Sequence, residues 1–174
     1  MTEKTSSSPA PAQPVADRPY VQGYGIPETE EGMLPWSHVA ERMQKSLNYW
    51  IATVDSQNHP HATPVWGAWV DGTLFFDGSP QTRRGRNLAE NPAVVVHLES
   101  GSDVVILQGE ALQIHAPERA LADRLAAAYT AKYKDMGYAP SPDTWKEGGL
   151  YRVTIHQAYA WTKFPADATR WRFV

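Results

Sequence analysis

The strongest constraint on the fold is the shortness of the links between the strand-like runs that follow residue 48. Three apolar runs are separated only by the polar turn SQNHP and an Asp71-Gly72 turn; they are Tyr49 to Asp55, His61 to Asp71 and Thr73 to Asp77. A parallel connection needs about a dozen residues or more, so these links predict a three-stranded antiparallel meander. Pro64 predicts an edge, a bulge or a bend inside the second run, because proline has no N–H for the ladder.

The rest of the pattern alternates further strands with helices. Apolar residues at helical spacing predict helices over about 37–47, with Ser37 as N-cap, over 80–90 and over 117–134. Apolar runs predict strands over 93–99, 104–115, 150–156 and 158–164, with a bulge or bend at Gly109. We therefore predict a mainly β, α+β fold: a six- to seven-stranded antiparallel barrel, closed or nearly closed, with three short-to-medium helices.

The N-terminal composition differs from that of the rest of the chain. Residues 1–19 contain four prolines, three consecutive serines and almost no large apolar side chain, which predicts a disordered tail. Residues 20–35 hold Gly23, Gly25 and Pro27, which exclude a long helix, together with apolar side chains that are able to pack as an arm. Such an arm lies either on its own subunit or on a second one. Residues 36–174 are predicted to form one domain.

Composition excludes several classes of protein. The 174 residues include no cysteine, which excludes a disulfide scaffold, a thiolate metal site and a cysteine nucleophile. The net charge of −3 argues against a general nucleic-acid binder. No apolar run approaches the ~18 residues of a membrane span, and no signal-peptide core is evident. We expect a cytoplasmic protein without nucleic-acid or membrane partners.

Aromatic residues are numerous for so polar a chain. Its 7 Trp, 8 Tyr and 4 Phe occur in a sequence of mean hydropathy −0.48. This combination favours either an aromatic core or a surface that receives a planar ligand. Rings that fall on predicted strands, such as Phe76 and Tyr151, are interpreted as barrel core.

The sharpest local pattern is SPQTRRGRNL at residues 79–88. It places hydroxyl, amide and guanidinium groups at the start of a short helix that directly follows a strand; these residues are Ser79, Thr82, Arg83, Arg84, Arg86 and Asn87. Exposed backbone N–H groups and forked guanidinium donors both favour an anion, so the segment is suited to bind phosphate. The alternative is a solvated basic helix face.

A second pattern is PHATPVWGAW at residues 60–69. The proline interrupts the ladder, and its small neighbours leave room for a flat ring whose edge bonds the freed backbone groups. A core strand with a bulge produces the same pattern. The C-terminal run AWTKFPADATRWRFV is similarly open to two interpretations, since alternating aromatic and arginine residues occur both at subunit contacts and in the closure of a barrel.

Other chemistries are not indicated. His59 and His61 have H-x-H spacing, but no carboxylate or cysteine spacing completes a metal site, and no metal is expected. The sequence contains no G-x-S-x-G elbow, no G-x-G-x-x-G motif and no Walker loop.

Taken in order, four segments resemble the pyridoxamine 5′-phosphate oxidase-like superfamily of split β-barrel flavoproteins. They are VDSQNHPHATPVW, DGTLFF, SPQTRRGRNLAENPAVVV and AWTKFPADATRW. In particular, the chain is similar to the flavin/deazaflavin oxidoreductases of the B group, whose members use FMN or coenzyme F420. The resemblance covers about residues 36–174 and implies a split β-barrel.

The resemblance also implies a set of cofactor-binding residues. The positions implied for the phosphate end are Asp77, Gly78, Ser79, Thr82, Arg83, Arg84 and Asn87. Those implied along the isoalloxazine ring are His61, Thr63, Pro64, Val65 and Trp66. Because the family is homodimeric with the cofactor at the interface, Trp161, Arg170 and Trp171 are candidates for contacts from the partner subunit.

The implied activity is hydride transfer between the bound ring and a small planar substrate, with no catalytic side chain assigned. Two departures from the family pattern matter. Arg84 stands where lysine is frequent, which keeps the charge, and the C-terminal TRWRFV lacks the Arg/His substrate signature of true pyridoxamine phosphate oxidases. The alternative function is a non-catalytic carrier or sensor that binds a flavin, a deazaflavin or haem.

Overall fold

The computed structural model describes residues 14–173. The strands are β1 (Val15–Asp17), β2 (Tyr49–Val54), β3 (Pro60–Val65), β4 (Gly67–Val70), β5 (Thr73–Asp77), β6 (Ala93–His97), β7 (Val104–Ile114), β8 (Leu150–Trp161) and β9 (Thr169–Arg172). The helices are α1 (Trp36–Lys45), α2 (Arg83–Glu90) and α3 (Arg119–Tyr133), which a 3-10 turn, Lys134–Met136, extends. The predicted mainly β, α+β class is confirmed. The predicted six or seven strands are too few, because the described residues form nine.

All nine strands belong to one antiparallel sheet in which β8 is shared by two groups of strands. Hydrogen bonding follows the order β1-β9-β8-β7-β6-β2-β3, while β5 pairs with both β4 and β8. One edge of β8 pairs along its length with β7. The other edge is divided between β5, opposite 150–152, and β9, opposite 157–160. The sheet therefore splits at β8.

The predicted meander is wrong in its second strand, which consists of two strands. Trp66 interrupts it, so that β3 ends at Val65 and β4 begins at Gly67. β3 pairs with β2, whereas β4 pairs with β5. β3 lies at the end of the bonded order, so Pro64 is on an edge strand, as its missing N–H requires.

The last two predicted strands are one strand. β8 continues through Gln157, the residue between the two predicted strands, and ends at Trp161. Opposite this point β7 shifts register between Gln108 and Gly109, which confirms the bulge predicted at Gly109. A Cβ at Gly109 would collide with the backbone of Thr154, so the bulge requires glycine.

The helices cover the sheet through two apolar clusters. One contains Val39 and Met43 of α1 together with Ile51 and Leu107 of the sheet. The other contains α3 and its partners on β4, β5 and the loop before β8; its members include Ala68, Phe75, Leu125, Tyr129, Tyr133 and Trp145. α1 begins at Trp36 after Pro35, so the predicted capping role of Ser37 is wrong. Within residues 14–173, no helix has both the length and the apolarity needed to cross a membrane.

The predicted disordered tail is wrong for its last part. Residues 15–17 form β1 and pair with β9, held by ion pairs from Asp17 to Arg170 and Arg172. Three residues are too few to show a strand pattern in sequence, and their partner lies about 150 residues away. Residues 1–13 lie outside the described part of the chain.

The arm over residues 20–35 contacts its own chain. The backbone N–H of Leu34 donates to Thr169 Oγ1 at 2.8 Å, and the ring of Tyr24 meets Phe164 edge-on at 5.6 Å. Arg18 donates to the carbonyls of Thr29, Glu31, Ala166 and Ala168 and so ties the arm to the turn before β9.

Candidate functional site

The start of α2 has the form of an anion site. Thr82 is the N-cap, and its Oγ1 accepts from the Gly85 N–H at 3.1 Å. The N–H groups of Arg83 and Arg84, in the same first turn, have no intrahelical acceptor. A Cβ on Gly85 would lie 2.6 Å from the Pro80 carbonyl oxygen, so glycine allows the turn to fold tightly on the preceding loop. Two backbone donors are thereby left for a ligand at the helix start.

The side chain of Arg84 is buried and unpaired. It is 9% exposed, and its Nε has no hydrogen-bond partner in the described part of the chain. Arg83 pairs with Asp55 at 3.4 Å, whereas Arg84 forms no ion pair within residues 14–173. Its Cζ lies 5.5 Å from the centroid of the Phe76 ring. Burial lowers the pKa of this guanidinium, and nearby Tyr151 and Asp77 oppose that shift.

Gly78 allows Arg84 to occupy this position. A Cβ on Gly78 would lie 2.6 Å from Arg84 Nη2. The N–H of Gly78 donates to the Gly149 carbonyl at 2.9 Å, so the loop before β8 abuts the same point. The end of β5, the start of α2 and this loop therefore meet around one guanidinium.

Asp77 connects the same loop to the end of β5. Its carboxylate accepts hydrogen bonds from the Tyr138 hydroxyl and, at 3.4 Å, from Trp145 Nε1. Burial raises the pKa of Asp77, against these hydrogen bonds and the charge of Arg84. Both loop residues are remote from 79–88 in sequence, and no local pattern predicted their role here.

The other side of α2 faces β2 and β3. Asn87 Nδ2 donates to Thr53 Oγ1 at 3.0 Å, and both residues are buried. Thr53 is opposite His61 in the β2–β3 register, and His61 Nδ1 is buried without a hydrogen-bond partner among the residues that the structure describes. A cleft of about 320 Å³ opens beside these residues, lined by Asp55, Arg83, Arg86 and Asn87 among others. His61 is thus brought close to the α2 residues.

The remaining predicted ring contacts divide between the two faces of β3. Val65 is buried, and strand alternation puts Thr63 on its side of the sheet. Pro64 is exposed on the opposite face, opposite Trp50. Trp66, at the break between β3 and β4, stacks on Tyr133 with centroids 4.8 Å apart. The structure therefore brings His61, Thr63 and Val65 to one face and Pro64 to the other.

Two side chains of α3 hold the break beside Trp66. Tyr133 Oη accepts from the Gly67 N–H at 3.0 Å, and Lys132 Nζ donates to the Gly67 carbonyl at 3.0 Å. Gly67 is also opposite Phe76 in the β4–β5 register, so α3 and β5 both hold the start of β4. No sequence pattern predicted this function of Lys132 and Tyr133, since helical spacing shows only which side of α3 is buried.

The three C-terminal residues predicted to contact the partner subunit's cofactor mostly contact residues of their own chain. Trp171 is 1% exposed and meets Trp36 edge-on at 5.5 Å, so it packs within its own chain, and its role as a cofactor or partner contact stays a prediction. Arg170 pairs with Asp17, and the half-buried Trp161 lies 5.5 Å from Phe164. No hydrogen bond or ring contact among the described residues joins these three to α2.

Fold and site together define a class: a split antiparallel sheet protein with a buried cationic site where β5 leads into α2. The family model described as pyridoxamine 5′-phosphate oxidase matches residues 36–162. The chain belongs to this family. No curated protein matches the sequence. Across the part of the chain that the structure describes, no group of three His, Asp or Glu side chains is arranged to hold a metal ion.

Solved structures show the same fold at low identity. A conserved hypothetical protein from Mycobacterium tuberculosis, Rv2991, is 19% identical with a TM-score of 0.59, over 76% of this chain and 88% of its own. A structure named F420 reductase is 19% identical with a TM-score of 0.53, over 75% and 98%. A haem-binding protein from Mycobacterium smegmatis is 21% identical with a TM-score of 0.54, over 78% and 57%. These likenesses establish the fold alone.

Proposed function

We propose that this chain binds FMN or coenzyme F420 and transfers a hydride between the bound ring and a small planar substrate. We propose further that it acts in the cytoplasm as a homodimer with the cofactor at the interface. The observation that carries the proposal is the buried, unpaired guanidinium of Arg84 at the start of α2. A buried charge without a counter-ion costs several kcal/mol, and a bound anion removes that cost. Both cofactors carry a phosphate group.

The donors around Arg84 fit a phosphate. Arg84 presents its guanidinium, and Arg83 and Arg84 add first-turn N–H groups to which the helix dipole also contributes. Thr82 fixes the turn, and Asn87 fixes the helix to β2. We assign these four residues, with Asp77, Gly78 and Ser79, to the phosphate end.

The ring is assigned to β3 and its junction with β4. When bound, the ring supplies the position that accepts or donates the hydride. His61 Nδ1 is a buried polar atom without a partner among residues 14–173, and we assign it, with Thr63, Val65 and Trp66, to orienting the ring. Pro64 contributes through the interrupted backbone of the edge strand. Trp161 and Arg170 remain candidates for contacts from the partner subunit.

Titration of cofactor-free protein with FMN and with F420, followed by absorbance and fluorescence, tests the proposal. We expect one of the two to bind and the Arg84→Glu variant to lose at least about 100-fold in affinity, because an attractive charge becomes repulsive. Arg124→Glu is the matched control, since Arg124 is exposed and pairs with Asp71 in the β4–β5 turn. Failure of both cofactors to bind, or equal affinity in Arg84→Glu, would contradict it.

A non-catalytic haem carrier is the second candidate. It is favoured by the fold shared with the haem-binding protein and by the unpartnered His61 Nδ1, since neutral imidazole is a common haem ligand. The visible spectrum of the protein as purified separates the candidates. A Soret band lost in His61→Ala supports the haem carrier, whereas flavin or deazaflavin bands contradict it and support the proposed cofactor.

A further inference from the structure

The hydroxyl of Tyr151 is a buried polar group without a partner in the described chain. Tyr151 is 2% exposed, and its Oη forms no hydrogen bond. A buried unsatisfied hydroxyl lowers stability, typically by about 1–3 kcal/mol. Phenylalanine would fill the same space without that cost. A bound ligand that accepts a hydrogen bond from this hydroxyl would explain why the position holds tyrosine and not phenylalanine.

Tyr151 is close enough to Arg84 for each group to shift the pKa of the other, although 67 positions separate them in the sequence. Tyr151 and Phe76 are cross-strand partners in the β5–β8 register, and their rings stack with centroids 5.0 Å apart and planes 6° apart. The Arg84 guanidinium lies over the same Phe76 ring, 5.5 Å from its centroid. Phe76 thus brings together two buried polar groups, and both lack a partner.

A cleft that Tyr151 lines is suited to an anion. It has a volume of about 440 Å³ and lies between the start of α2, with Gly85 and Arg86, and the sheet, with Gln113 and Tyr151. Arg86 is the one cation among its lining residues, which include no carboxylate and do not include Arg84. Burial raises the pKa of Tyr151 against the opposing charge of Arg84, so the phenol stays protonated near neutral pH and remains a donor.

Arg84 Nε–H can only donate. An oxygen that accepts from both Arg84 and the Tyr151 hydroxyl satisfies both groups at once. A phosphate has several such oxygens and also neutralises the guanidinium. Neutral ligands satisfy the hydroxyl and leave the charge uncompensated.

We propose that Tyr151 is a further phosphate-binding residue, whose hydroxyl donates to the oxyanion that Arg84 binds at the start of α2. The identity of the phosphate carrier rests on the proposed function; the role of Tyr151 in binding an oxyanion does not. Tyr151 binds and positions the ligand and takes no part in hydride transfer.

The test compares wild-type protein, Tyr151→Phe and Tyr159→Phe. Tyr159 is on the same strand and donates its hydroxyl to Gln157 of its own chain, which makes it a matched control. Affinities are measured for FMN and for riboflavin, which lacks the phosphate, and likewise for F420 and its phosphate-free deazaflavin core. We expect Tyr151→Phe to weaken the phosphorylated ligand about tenfold or more and to leave the phosphate-free ligand unchanged.

The ligand-free proteins supply a second measurement. Tyr151→Phe should melt at the same temperature as wild-type protein or higher, since it removes an unsatisfied polar group. Unchanged affinity for the phosphorylated ligand, or equal weakening of both members of a pair, would overturn the role of Tyr151.

If neither cofactor binds wild-type protein, the proposed function fails and Tyr151 is tested with inorganic phosphate and pyrophosphate. Either anion should raise the melting temperature of wild-type protein and Tyr159→Phe more than that of Tyr151→Phe. No rise in wild-type protein, or equal rises in all three, would overturn the inference.

Discussion

The pair Asn87 and Thr53 shows how one hydrogen bond positions the candidate site. The buried side-chain amide of Asn87 donates through Nδ2 to Thr53 Oγ1 at 3.0 Å, and this bond joins α2 to β2. Thr53→Val preserves the shape of the side chain and leaves that amide without its acceptor. We expect a loss of about 1–3 kcal/mol in the free energy of unfolding, measured with urea.

Two comparisons check the cause of that loss. Thr154→Val, at an exposed position of β8, should change stability little. Adding Asn87→Leu to Thr53→Val should restore part of the lost stability, because both polar partners are then absent. A double variant as unstable as the sum of the single ones would show that the hydrogen bond is not the cause.

Lys132 makes the free energy of unfolding depend on pH. Its ammonium lies between the rings of Tyr49 and Tyr133, and burial lowers its pKa from 10.5 to about 8. Between these two pKa values the unfolded chain binds a proton that the folded chain has released, so the free energy of unfolding rises with pH in this window. Relative to Lys132→Met, wild-type protein should therefore gain stability from about pH 8 to pH 10.

Urea unfolding of both proteins across that range checks the sign. The raised pKa values of Tyr133 and Tyr138 oppose the gain only as the unfolded tyrosines begin to ionise near pH 10. Lys134→Met, at an exposed position after α3, is the control and should follow the wild-type curve. A difference between wild-type protein and Lys132→Met that does not change with pH would contradict the prediction.

Sequence could reveal those site residues that are close together in the chain. Thr82, Arg83, Arg84 and Asn87 share one helix start, so their chemistry is visible as a pattern. Tyr151 falls on a predicted strand, and its burial confirms the prediction that it belongs to the barrel core. Its position near Arg84 depends on the pairing of β5 with β8, which no local pattern shows. Strand alternation gives the face of a residue and not its partner across the sheet.

Among the elements, β1 has the least local support and depends on contacts with β9. Asp17 holds Arg170 and Arg172, and Arg18 reaches four backbone carbonyls. Removal of residues 1–18 should lower the free energy of unfolding by about 2 kcal/mol or more, because several charged hydrogen bonds are lost. It should also increase self-association, because the edge of β9 is exposed.

Thermal unfolding and light scattering test this. Removal of residues 1–13 alone leaves β1 in place and is the control. If both truncations behave alike, β1 does not stabilise β9.

Prediction of elements succeeded where the periodicity was local and failed where it depended on distant pairing. The alternation of β2, β6 and β7 gave their extents to within two residues. The break at Trp66 was not predicted, since it depends on Lys132 and Tyr133 binding Gly67 from α3. The continuity of β8 was likewise not predicted, because it depends on pairing with β7, whose register shifts at Gly109 opposite residues 155–157.

On the scale of the whole molecule, β8 relates the candidate site to the rest of the sheet. Its first residues pair with β5 and carry Tyr151, while its last residues pair with β9 and thereby with β1. The face of β2 and β6 that points away from the core carries half-buried apolar side chains, with the rings of Trp50 and His97 parallel to within 2°. This outward face is the surface that we propose for the homodimer.

Ala52 lies in the middle of that face, opposite Ala62 on one side and Val95 on the other. Ala52→Glu should leave the single chain folded, because the side chain points away from the core. It should convert the proposed dimer to monomer, because a carboxylate buried at an apolar interface loses its hydration. Ala127→Glu, on the exposed side of α3, makes the same chemical change elsewhere and should remain dimeric.

Sedimentation velocity measures the oligomeric state, and cofactor titration of the same samples should show weaker binding only in the monomer. A dimer that persists in Ala52→Glu would place the interface elsewhere, and a monomer with wild-type affinity would separate cofactor binding from dimerisation.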